Sequence, residues 1–222
     1  MRSTAANLYY RLAGMKQESC GVIGRPREFD TEEALTAALK VFWRKGYDGA
    51  SLTDLTEAMG ITRPSLYCAF GNKEALFKSA LDLYEREKLA FIDTALSAPT
   101  AYEAVKRMLT AGCTAYSDPD TPGCMGVNSV LSNQGVASEA IRQELTARRL
   151  DTEGKLRGRF ERALQEGDLP QGTDPSSLAM FVMTIAQGIA LQAGMGAPRE
   201  ALAQVVDTAL NAIPRAPKAA AA

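Results

Sequence analysis

Residues 51–70 read SLTDLTEAMGITRPSLYCAF, and the spacing within them predicts two short helices joined by a tight turn. Ser51 is a hydroxyl N-cap with Asp54 three residues on, a variant of the capping box that also sets an acid at the positive end of a helix. Leu52, Leu55 and Met59 repeat on one helical face. Gly60 follows where a helix closes in the left-handed conformation that glycine takes without strain. Thr62 caps the next helix, Pro64 stands in its first turn where a missing N–H costs nothing, and Leu66 with Phe70 supply its buried face. Thr62, Arg63, Ser65, Tyr67 and Ala69 are then expected to point outward. So short a helix, with hydroxyls and one arginine on its outer face, buries little. It suits a DNA major groove, where such groups meet phosphates and base edges and the free N–H groups of the helix start attract a phosphate. The same spacing also fits an αα-hairpin in an ordinary helical domain.

The flanks separate the two readings. Upstream, residues 29–47 read FDTEEALTAALKVFWRKGY; downstream, residues 71–77 read GNKEALF. Phe42, Gly46 and Tyr47 before the pair, Leu66, Tyr67 and Phe70 at its end, and Lys73, Glu74 and Leu76 opening the next helix together resemble the DNA-binding head of the tetracycline-repressor (TetR) family of bacterial regulators, over about residues 25–80. The resemblance implies contacts to phosphates or bases from Ser51, Thr53, Thr62, Arg63, Ser65, Tyr67 and Lys73. The chain departs from the family pattern at Thr56, Pro64 and Ala69. Thr56 has to return its hydroxyl to a backbone carbonyl, and Ala69 removes one phosphate contact, so sequence preference is expected to differ from that of relatives.

Composition narrows the function classes. At 222 residues with 46% hydrophobic content the chain can build a sizeable core. It has no histidine, which excludes zinc sites that use imidazole, Ser-His-Asp hydrolysis and Cys-His catalysis. Cys20, Cys68, Cys113 and Cys124 form no CxxC pair, and no glycine-rich phosphate loop is present. No enzyme activity, cofactor or metal is therefore expected. The longest apolar run, near residues 179–193, is interrupted by Thr184, Gln187 and Gln192, and the start lacks a secretory apolar core, so a cytoplasmic protein without a membrane segment is expected. Net charge is −1, but residues 1–73 carry 10 Lys and Arg against 8 Asp and Glu, and residues 74–222 carry 15 against 18. With so small an asymmetry, phosphate neutralisation rests on a few placed cations, hydroxyls and helix ends.

Taken in order, residues 1–24 show no periodicity and read as a flexible arm, with Met15 as an alternative natural start. Arg25 and Arg27, on the rigid Gly24-Arg25-Pro26-Arg27 segment, either lie along a minor groove or form a solvated linker. Asp30 caps a helix that carries Ala34, Leu35, Ala38, Leu39 and Phe42 on one stripe, has Trp43 on the same small core, and ends at Gly46. After the central pair, a helix from the Asn72 cap to about Leu96 links head to body. Further helices are expected over about 102–116, 124–133, 138–166 (Ser138 cap), 174–195 (Asp174-Pro175) and 198–213. The expectation is an all-α protein of about nine helices: a helix-turn-helix DNA-binding domain over 25–72, a ligand-binding and dimerisation domain over 73–213, and a disordered tail over 214–222.

Two further sites are expected in the second domain. Phe181, Ile185 and Ile189 on one helix and Leu202, Val205, Val206 and Ala209 on the next, with small residues between, favour a homodimer held by a four-helix bundle, the pairing the resemblance also implies. A pocket for a small apolar or aromatic effector is implied by the resemblance, and Met108, Cys113, Tyr116, Met125, Asn128, Met183 and Gln187 are its candidates; the same residues fit an ordinary core. Cys113 and Cys124, brought together by their loop, are either buried structural thiols or a thiol switch. The expected function is a dimeric, ligand-responsive repressor released from a palindromic operator on double-stranded DNA. The alternatives are a thiol-redox-responsive regulator and a small helical enzyme or carrier with a protein-binding head.

Overall fold

The computed structural model describes residues 29–131 and 139–216. The arm over 1–24, Arg25 and Arg27, the Ser138 cap and tail residues 217–222 lie outside them. Among the described residues there are ten helices and no strand: α1 (Thr31–Gly49), α2 (Leu52–Met59), α3 (Arg63–Phe70), α4 (Lys73–Lys88), α5 (Ala90–Leu96), α6 (Ala101–Tyr116), α7 (Met125–Leu131), α8 (Glu139–Gln165), α9 (Pro175–Gly194) and α10 (Arg199–Asn211). The count exceeds nine because the helix expected over 72–96 is broken at Leu89, where φ is −105° and ψ is 1°. No proline or glycine marks this break. Leu89 instead packs against the core that α5 shares with α6, so tertiary packing overrides a continuous helical pattern.

The local signals in the central stretch all appear. Ser51 and Asp54 form both hydrogen bonds of the capping box, and Gly60 takes φ 64°. The Thr62 hydroxyl accepts from the Ser65 N–H, with Pro64 in the first turn, and Asn72 Oδ1 accepts from the Ala75 N–H. Thr56 Oγ1 returns to the Leu52 carbonyl at 2.9 Å. In α1 the helical conformation is interrupted at Gly46, with φ 66° and ψ 179°. This turns Tyr47 back onto Phe77, their ring centroids 5.1 Å apart, beside the Phe42–Phe77 pair at 5.0 Å. Leu39, Leu55, Leu66 and Leu76 complete this small core.

Trp43 points elsewhere. It is buried edge-on to Tyr84 of α4, centroids 4.7 Å apart, and its indole N–H donates to the Pro122 carbonyl at 3.3 Å. It therefore joins the head to the loop between α6 and α7 rather than filling the head core alone. The larger core lies among α5, α6, α8, α9 and α10, around Phe160, Leu156, Leu109, Val182 and Val206. Arg148 of α8, four-fifths buried, pairs with Asp82 (2.6 Å) and Glu85 (2.8 Å) of α4, which ties the middle of the body to the helix that carries the head. Helix α9, with a mean hydropathy of 1.4 over 18 residues, is long and apolar enough to cross a membrane by length and composition. Its Ala179, Val182, Ile189 and Ala193 are spent inside this core. Residues 214–216 fold back: the Arg215 guanidinium lies 3.6 Å from the Tyr102 ring and the Ala216 N–H donates to the Asp168 carbonyl.

Candidate nucleic-acid interface

The starts of α2 and α3 lie side by side, and one hydrogen bond fixes them. Arg63 Nη2 donates to Thr53 Oγ1 at 2.8 Å, so the single arginine of α3 is held across the turn. Ser51, Thr53, Thr62 and Arg63 are exposed, and Ser65 is half-buried. Tyr67 keeps 50% of its surface in solvent, which packing does not explain for an aromatic residue on so small a helix. The hydroxyls are already oriented: Ser51 Oγ accepts from the Asp54 N–H and donates to Asp54 Oδ2 (2.8 Å), and Thr62 and Ser65 share a hydrogen bond of 2.9 Å.

Cations frame this surface. Lys73 lies over the Tyr47 ring, 4.4 Å from its centroid. Burial lowers the pKa of Lys73, and the nearby Asp48 carboxylate works against that shift. Lys45 Nζ pairs with Asp54 Oδ1 at 2.7 Å, and this bond, together with the Ser51 N–H and hydroxyl, holds the Asp54 carboxyl down at about 2. Lys45 was not singled out in the sequence, and neither was Cys68, which is exposed on α3. Both are legible from helical phase, since Cys68 follows Tyr67 around the outer face. The surface is thus a preorganised set of hydroxyls, one braced arginine and two lysines, suited to positioning on a phosphate backbone with few charges.

The structure divides the other expected sites. Ile189, Leu202, Val206 and Ala209 are buried within the chain's own core. Phe181, Ile185 and Val205 line an open groove of about 450 Å³ between α9 and α10. Met108, Cys113, Tyr116 and Met183 are packed in the large core, Met125 is fully buried, and Asn128 and Gln187 are half-buried. A second cleft, of about 360 Å³, opens at the Leu89 break between α4, α5 and α8, lined by Ile92, Ala147 and Arg148 among others. None of the seven effector candidates lines either cleft. Cys113 and Cys124 are free thiols, and Cys124 Sγ accepts from the Tyr84 hydroxyl at 3.2 Å. Burial pushes the Tyr84 and Tyr116 phenols well above their ordinary range, so both carry no charge at neutral pH. Among the described residues no cluster of His, Cys, Asp and Glu could hold a metal ion.

Residues 34–80 match the family model described as bacterial regulatory proteins, tetR family. The chain is 34% identical over 194 residues to the transcriptional repressor ComR of Escherichia coli K12, covering 86% of this chain and 92% of ComR. It is 32% identical to the regulator YezE of Bacillus subtilis 168, again over 86% of this chain and all of YezE. The chain belongs to the TetR family. Its fold matches that of the TetR-family regulator CifR, solved as a cysteine mutant in complex with a 26-base-pair operator, with a TM-score of 0.81 and 42% identity over 86% of this chain and all of CifR. As a TetR-family member the protein is a DNA-binding transcriptional regulator and not an enzyme. Within this TetR head, the exposed α3 is the second helix of the helix-turn-helix.

Proposed function

We propose that the protein is a cytoplasmic repressor that binds a palindromic operator through α2, α3 and Lys73 and is released by a small apolar or aromatic effector held in the body domain. Its head is taken as residues 25–72 and its effector and dimer domain as 73–213. The observation that carries the reading is the Arg63–Thr53 hydrogen bond at 2.8 Å beside a half-exposed Tyr67. This spends an arginine on the order of a solvent-facing surface that has no packing role. ComR and CifR, a repressor and an operator-bound regulator, support the assignment. Footprinting the full chain on DNA flanking its own gene tests it. Protection of two inverted half-sites whose centres lie about one helical turn apart is expected, because a two-fold dimer sets its recognition helices roughly 34–36 Å apart. Protection that is uniform along the DNA, or absent, overturns the reading.

A second reading is favoured by the Tyr84 hydroxyl on Cys124 Sγ, because Tyr84 also carries Trp43 of the head. In that reading thiol chemistry at Cys124 replaces the small effector, and operator release by peroxide that survives Cys124→Ser excludes it.

A further inference from the structure

One side chain of α7 reaches the backbone of the head and, on its other side, the loop glycine that packs on the end of α9. The Asn128 side-chain nitrogen donates to the carbonyls of Trp43 and Pro122, each at 3.3 Å. Trp43 lies in the last regular turn of α1 before Gly46, where carbonyls run short of intrahelical partners, and its indole N–H donates to the same Pro122 carbonyl. Arg44 reinforces the join by donating twice to the Asp120 carbonyl, at 3.2 and 3.1 Å. On its other side Asn128 meets the loop glycine Gly123, which has φ +76°. A Cβ placed on Gly123 would stand 3.0 Å from the Ala190 carbonyl of α9, 3.2 Å from Asn128 Oδ1 and 3.3 Å from Gly194 Cα. Gly123 is therefore wedged between α9 and Asn128, where a methyl group enters only if these neighbours give by a few tenths of an ångström, and it is pinned from behind by its N–H bond to the Tyr116 carbonyl at 2.8 Å.

We infer that Asn128 is a positioning residue that sets the angle of the DNA-reading head: it passes displacements of the α9 end (Ala190–Gly194), through Gly123, to the α1 backbone at Trp43. This deepens the function proposed above and rests on it for the identity of the signal. It assigns Asn128 to transmission rather than to holding the effector. The first link transmits small shifts because the α9 backbone meets the Gly123 backbone with no side chain between, and the second spans only the short, doubly bonded Asn128 amide. The path through α4 also exists, by way of Tyr84 and Arg148, and it enters the head along the chain at Gly71 and Asn72, at the end opposite α1. At Asn128 the head is held by its main chain.

The test places a nitroxide on the exposed Cys68 of α3 in the full chain, in a background with Cys20→Ser, Cys113→Ala and Cys124→Ser. The distance between the two heads of the dimer is then measured by pulsed electron-electron resonance without DNA. Asn128→Leu, which keeps volume and loses the hydrogen bonds to the Trp43 and Pro122 carbonyls, should shift or broaden the head-to-head distance while thermal melting of the body changes little. Gly123→Ala should shift that distance in the presence of Asn128, and the shift should vanish in the Asn128→Leu background. Asn128→Asp, which keeps the side-chain shape but presents carboxylate oxygens that cannot donate to either carbonyl, replaces Asn128→Leu in both comparisons should that variant not fold. A wild-type distance in the Asn128 variant, or an equal Gly123→Ala shift in both backgrounds, overturns the assignment. Because these distances are read without operator or effector, they stand apart from the footprinting result, whose failure would instead remove the repressor reading.

Discussion

Glutamate placed at Val205 or at Ile189 should have opposite consequences, because one residue faces a groove and the other the monomer core. Val205 leaves 44% of its surface exposed, whereas Ile189 leaves 3%. Full burial of a valine side chain is worth roughly 1.5–3 kcal/mol, so a partner covering the open part gains roughly 0.7–1.3 kcal/mol, and two-fold symmetry doubles that. Val205→Glu forfeits this gain and sets a carboxylate from each protomer into an apolar groove with Phe181 and Ile185, at a further cost of a few kcal/mol. A total of roughly 4 kcal/mol corresponds to about a thousandfold weaker dimer. Ile189→Glu instead buries a charge among Val182, Ala193 and Val206, and its cost of several kcal/mol falls on folding itself. Sedimentation velocity at micromolar concentration, paired with thermal melting followed by circular dichroism, separates the two. Val205→Glu should give a folded monomer; Ile189→Glu should lose its cooperative melt or melt far lower. A Val205→Glu dimer as tight as wild type places the interface off this groove, and a stable Ile189→Glu monomer refutes the division of the two helices into core and contact faces.

Three further outcomes are expected. Arg63→Ala should weaken operator binding by about 1–3 kcal/mol and relax preference at its base, whereas Lys73→Ala should weaken all sequences alike and lower the salt slope by about one unit in a titration of affinity against salt. Ser51→Ala should cost about 1 kcal/mol of stability in denaturant unfolding through the lost α2 cap, and a change in midpoint too small to resolve would show that the cap is redundant. The Asp54 carboxyl, held at about 2 against its ordinary 3.8 by Lys45 and Ser51, contributes stability that is complete above pH 4 and lost as pH falls toward 2; Asp54→Asn should flatten that part of the stability profile, and an unchanged acid limb would show that the carboxylate is unshifted.

The head was legible because its determinants are local. Ser51, Asp54, Gly60, Thr62, Pro64 and Asn72 each act within four residues of themselves, and helix ends are where sequence and backbone hydrogen bonding are most directly tied. The break at Leu89 had no such signal. A leucine that leaves helical geometry does so because its neighbours in the fold reward it, and nothing in residues 85–93 encodes those neighbours. The apolar faces of α9 and α10 gave an intermediate case. Periodicity found the residues, but whether Ile189 or Ile185 meets solvent depends on which side α6 and α8 approach, and that is set by chain segments far away.

Trp43 shows why the join between head and body is the hardest part to read. It stands one residue past Phe42 on the α1 stripe, so helical phase alone already turns it roughly 100° from the head core. What lies in that direction is Pro122, 79 residues on, and Asn128, 85 residues on. An Asn on a short apolar helix looks from sequence like a ligand contact, because both roles demand the same thing: a buried amide with carbonyls to satisfy. Only the position of the Trp43 and Pro122 carbonyls distinguishes them here. A polar residue that bridges two backbones holds their relative placement more tightly than apolar packing can, since sliding by even one ångström breaks both hydrogen bonds at once. That places the directional restraint on the head at Asn128, while Trp43 and Tyr84 supply the adhesion that any angle would keep.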